Sequence, residues 1–108
     1  MESFVTCAVV ETDLRHAFEV GVALRLEAPE GTAVREDPHV PEVFYLEATT
    51  AAADVQRAVA AAAQSTTTLL AGLDLPAEVH EVVVLSLDGA VHWVPDVDAA
   101  LPAGESSH

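Results

Sequence analysis

Between Ala17 and Glu27 the chain alternates more regularly than anywhere else: Phe18, Val20, Val22, Leu24 and Leu26 are separated by Glu19, Gly21, Ala23 and Arg25. A period of two is the spacing at which successive side chains leave opposite faces of a strand, so this run predicts a half-buried β-strand with one wet face. Such a strand obliges the rest of the chain to supply a sheet and a layer that covers it. Residues 4–10, β-branched and apolar and ended by Glu11-Thr12-Asp13, predict its antiparallel partner. A connection of about five residues is too short for a parallel crossover.

Residues 28–42 hold Pro29, Gly31, Pro38 and Pro41 among several charges, which predicts an exposed loop without helix or interior strand. Val43-Phe44-Tyr45-Leu46 predicts a third, short strand. Thr49 or Thr50 can cap the helix that follows, with Asp54 in its first turn. Val55, Val59, Ala62, Thr66, Leu69, Leu70 and Leu73 recur at spacings of three and four, and Gly72 is a natural stop. The hydroxyl-bearing run Ser65-Thr66-Thr67-Thr68 is the place where this helix is weakest. Residues 80–87 and 90–94 then read as a hairpin about Asp88-Gly89, a pair suited to a type I′ turn. In that register Val84 lies opposite Trp93 and Leu85 opposite His92, and both faces of the hairpin are largely apolar.

The expected fold class is therefore α+β: a mainly antiparallel sheet of about five strands, in the order β-β-β-α-β-β, with one long amphipathic helix on one face. A ferredoxin-like sheet and a β-grasp both come near this order. The first expects a second helix where this reading has a proline-rich loop, and the second has no need of the extra strand before the helix. At 108 residues, 51% apolar, the chain can form one two-layer core but not two. One domain over residues 1–95 is expected, with 96–108 a disordered tail too polar and proline-interrupted to offset its ordering entropy.

Charge and composition exclude several functions. Eighteen acids against four arginines give a net charge of −14, spread along the whole chain. Binding to nucleic acid or to an anionic membrane relies on excess Lys and Arg, so neither is expected. No basic leader opens the chain, and no window approaches the roughly 20 apolar residues that span a bilayer, so a cytoplasmic location is expected. Lys, Ile and Asn are absent, and their A- and T-rich codons point to a GC-rich genome. That codon bias, or adaptation to salt, offers one account of the acidity. A negative face made for a basic protein partner offers another. The single Cys7 cannot form an internal disulfide and, with nothing basic near it in sequence, reads as a buried, inert thiol.

No catalytic, cofactor or metal signature is present. The five histidines include no HExxH and no ligand spacing with Cys7, and Asp96-Val97-Asp98 lacks the glycine and terminal glutamate of a calcium loop. The leading expectation is a non-enzymatic binding or accessory protein acting through protein–protein contacts. It would be a homodimer whose seam is the outer face of the hairpin, at Val82, Val84, Val91 and Trp93. The alternative is a small dimeric enzyme or ligand-binding protein of secondary metabolism with an apolar cavity between helix and sheet. There Tyr45 and His92 are the candidate polar contacts.

Overall fold

The computed structural model describes residues 2–85 and the backbone of Val91–Val94. Strand β1 (Glu2–Thr12) lies at the centre of the sheet. Its even-numbered residues Phe4, Thr6, Ala8 and Val10 are buried beneath the helices, while Val5 and Cys7 face the other way and are only half-buried. β3 (Val43–Ala52) pairs antiparallel on one side of it and β4 (Ala77–Leu85) on the other. β2 (Ala33–Glu36) adds to β3, and β5 (Val91–Val94) adds to β4, giving the order β2-β3-β1-β4-β5 with every neighbouring pair antiparallel. Two helices, α1 (Ala17–Glu27) and α2 (Val55–Leu73), pack on the same face of this sheet. The α+β class and the antiparallel sheet agree with the sequence reading.

The element order does not, because it runs β-α-β-β-α-β-β, with two helices rather than one. Ala17–Glu27, read as a strand, is a helix. The same residues that alternate at period two also fall at helical spacing, with Ala17, Val20, Gly21 and Leu24 turned inward. Ala, Glu, Leu and Arg favour that outcome locally, and a short 3₁₀ turn at Leu14–His16, capped by the Asp13 carboxylate on the His16 N–H at 2.8 Å, leads the chain into it. Gly21 allows a close approach there, since a Cβ at this position would lie a tight 3.0 Å from the buried ring of Phe44. With this helix in place, two β-α-β units interlock so that the strand of one lies between the strands of the other. This is the ferredoxin-like arrangement, extended by β5 at the β4 edge.

Three further differences are local. The proline-rich segment does contain a strand, β2, because Pro29, Pro38 and Pro41 all fall outside its four residues and an edge strand needs few ladder bonds. β3 runs on to Ala52, so Thr49 and Thr50 are strand residues and Asp54 is the N-cap of α2, accepting from the Arg57 N–H at 2.8 Å. α2 passes unbroken through Ser65–Thr68 and ends not at Gly72 but at Asp74, in the left-handed conformation at φ 58°.

β4 carries a bulge. Val9 pairs with Glu81 but Val10 with Val79, leaving His80 as the extra residue. The bulge resets the alternation so that Val79, Val82 and Val84 all serve the helix side of the sheet. The β4–β5 register differs by one residue from the expected hairpin: Trp93 is opposite Val83, His92 opposite Val84, and Val91 opposite Leu85. The Asp88-Gly89 turn and the tail 96–108 lie outside the described residues.

Candidate functional site

Small side chains leave a cleft between α2 and the sheet. Ala8 and Ala48 on the strands face Ala61, Ala62 and Ser65 on the helix, and the chain after α1, residues 29–32, forms one wall. The cleft measures about 600 Å³. Its floor is polar. Thr6, 2% exposed, donates its hydroxyl hydrogen to the Ala48 carbonyl at 3.2 Å and lies 3.3 Å from the Thr50 hydroxyl. Thr66, 7% exposed, lines the same space from the helix, and its hydroxyl makes no hydrogen bond among the described residues. The lining contains no Arg or His, and Glu30 is its one ionisable side chain. Hydroxyls beside a single carboxylate suit a neutral ligand, and an anion finds no counter-charge in this lining.

The opposite face of the sheet is covered by no described element. Tyr45 stands there and not between helix and sheet, so it cannot serve the cavity for which it was a candidate. Its phenol donates to the Asp37 carboxylate, and Asp37 also accepts from the His39 and Val40 N–H groups at 2.8 and 2.9 Å, which ties residues 37–40 to β3. The Tyr45 hydroxyl and the two backbone donors hold the Asp37 carboxyl below its ordinary range, while the bond to Asp37 pushes the Tyr45 phenol up. Arg35 lies 5.8 Å from the Tyr45 ring centre and pairs with Glu47. Cys7 sits between Glu47 and Val83 in the ladder. Burial first, and then the Glu47 and Glu81 carboxylates, raise its thiol above the usual value, which keeps it protonated and a poor nucleophile.

The residues expected to form a dimer seam separate. Val82 and Val84 are fully buried against the helices and belong to the core, because β4 pairs them with the inward-facing Ala8 and Thr6 of β1. Val83 and Leu85 are their outward-facing neighbours. Val91 and Trp93 sit opposite Leu85 and Val83 in register, and His92 sits opposite Val84. The side chains of these three lie outside the described residues.

Sequence reasoning missed a third surface. The outer side of α1 carries Phe18 (82% exposed), Val22 and Leu26 (76% exposed), one turn apart, with Leu14 exposed just before the helix. A shallow groove of about 490 Å³ runs along this stripe, between it and Leu73 at the end of α2 and Leu75 just beyond it. The signal was present in the alternation itself. Read at helical pitch, that run is apolar on both sides, which is the pattern of a helix covered on both sides.

Among the described residues no three His, Cys, Asp or Glu side chains converge as metal ligands, and no helix is long and apolar enough to cross a membrane. No protein-family model, curated protein or solved structure matches this chain.

Proposed function

We propose that this chain is a non-enzymatic accessory protein that works through protein–protein contacts, with the outer stripe of α1 as its principal contact surface. The observation that carries this reading is the stripe. Phe18, Val22 and Leu26 form a continuous apolar ridge in water, and a patch of that kind on a small acidic domain marks an interaction site. Charge selects the partner. Glu19 and Glu27 flank the ridge, and three of the four arginines are engaged with Glu36, Glu47 and Asp54. A partner with an apolar groove or helix face bordered by Lys and Arg would gain both burial and electrostatic steering.

Self-association fits a different surface. The open sheet face has Val5, Val83 and Leu85 at its centre, and a second copy stacked about a two-fold axis would bring apolar centre onto apolar centre. The two surfaces lie on different sides of the domain, so a dimer formed through the sheet leaves the stripes free.

The test is capture of partners from the source cell by the tagged chain, washed at low salt and at roughly 0.5 M salt, where the Debye length has fallen to a few ångström. The expected result is a stoichiometric basic protein, weakened by salt and lost with Phe18→Ser or Leu26→Ser. A partner retained equally by both variants would overturn the placement on α1. Sedimentation of the chain and of Val83→Asp tests the dimer: a monomer at tens of micromolar for both would remove it.

A further inference from the structure

We propose that the cleft between α2 and strands β1 and β3 binds a neutral, mainly apolar small molecule that carries a hydroxyl and a carbonyl. This goes beyond the protein-contact reading and does not depend on it.

A second cleft of about 660 Å³ flanks α2 on its β4 side, lined by Ala63, Leu70 and Val79, but the one over β1 and β3 is distinguished by its buried hydroxyls. Phe4, Phe44, Val82 and Val84 fill the layer elsewhere, whereas here Ala8 and Ala48 meet Ala61 and Ala62. Larger side chains at these positions would fill the gap and gain the dispersion and burial that small ones forgo. Its volume falls in the range of sites for small organic ligands.

Thr66 supplies the second observation. It is 7% exposed, lines the cleft, and its hydroxyl has no partner among the described residues. A buried hydroxyl left unpaired costs free energy that a ligand's acceptor would recover. Across the cleft one arrangement of hydrogens satisfies both Thr6 contacts. Thr6 gives its only hydrogen to the Ala48 carbonyl, so the Thr6–Thr50 contact is donated by Thr50, which is left with lone pairs. Thr50 therefore accepts and Thr66 can donate. A ligand hydroxyl answers the first and a ligand carbonyl the second. With Glu30 as the one charge and no cation in the lining, a carboxylate or phosphate would be repelled.

The experiment is a titration of the ¹⁵N-labelled full chain with 4-hydroxyacetophenone, a neutral phenol-ketone, against 4-hydroxybenzoate, which has the same frame with a carboxylate. The expected result for the first is saturable amide shifts centred on Thr6, Thr50 and Thr66, with a Kd on the order of 1 mM for a probe so small. The carboxylate should bind at least about tenfold more weakly, since it meets Glu30 and no counter-charge. Thr66→Val, which keeps shape and removes the hydroxyl, should weaken the neutral probe roughly fivefold while leaving the melting temperature equal or higher. Ala62→Leu should abolish binding by filling the cleft. If Ala62→Leu does not fold, the isosteric Thr66→Val decides. Shifts spread over the surface without saturation, equal binding of the carboxylate, or a Thr66→Val affinity equal to that of the parent would each overturn the proposal. Phe18→Ser should keep probe binding intact, which separates this site from the α1 surface.

Discussion

The two helices rest on one sheet, yet they differ in how they are written. α2 has one buried side, at Ala58, Val59, Ala63, Thr66 and Leu70, and polar or small residues elsewhere. α1 has Val20 and Leu24 inside and Phe18, Val22 and Leu26 outside. An amphipathic helix announces its single interface through its period. A helix with two apolar sides loses that period and reads as something else, and the second side is the mark of a surface still to be covered.

The largest effect that would sharpen this contrast is within α1 itself. Leu24→Ala, on the inner side, should cost about 3 kcal/mol by leaving a cavity against the core. Phe18→Ala, on the outer side, should change stability by less than about 0.5 kcal/mol. Chemical denaturation of both decides. Equal losses would mean that the outer stripe is already packed within the monomer, and the contrast would fail.

Next come the positions where α1 and α2 meet their surroundings. Gly21→Ala should destabilise by about 1 kcal/mol despite the better helix propensity of alanine, since the buried Phe44 ring would have to shift to admit the Cβ. Asp54→Ala should cost about 1 kcal/mol through loss of the α2 N-cap. At the other end Asp74→Gly should stabilise by about 0.5 kcal/mol, because glycine accepts the left-handed conformation and removes a negative charge from the helix C-terminus. Thermal melts of the three variants check the signs.

The smallest effects are expected from pH. The His16 side chain and N–H hold the Asp13 carboxyl below its ordinary value, and the Tyr45 hydroxyl does the same for Asp37. Groups lowered in the folded state contribute stability that is present above the unfolded carboxyl value, near about 4, and is lost as pH falls through the lower folded value. Stability contributed by these two should be flat from neutral pH to about 5 and decline only below about 4. Tyr45→Phe should remove the larger part of the Asp37 share, leaving the His39 and Val40 N–H bonds, and shift the onset of acid unfolding upward. An unchanged acid limb in that variant would show that the Asp37 contact carries no stability.

Much of the fold was legible in individual residues. Phe4 to Val10 read as a strand because the run is β-branched and apolar, and the body of α2 was traced from the helical spacing of its apolar positions, although its start was placed four or five residues too early. The errors share a cause. Five alternating apolar residues satisfy a strand and a two-sided helix equally well, and only the packing of Val20 and Leu24 on Phe44 separates them. In β4 the uninterrupted Val82-Val83-Val84 run does not say which valines turn inward, and the bulge at His80 decides it. The cleft was expected as a place, between helix and sheet, but its residues were not. Thr6, Thr50 and Thr66 are 60 positions apart along the chain at their extremes and read one by one as strand filler and helix surface.

By itself the sequence determined the class of the molecule: an acidic α+β chain with an antiparallel sheet and a long amphipathic helix. Those properties follow from composition, propensity and period, which act over a few residues at a time. Which side of a valine run is core, whether an alternating run coils or extends, and which hydroxyls share a cavity were decided only in the tertiary structure. They depend on contacts between segments distant along the chain, and the free energy of such contacts is not present in any one segment.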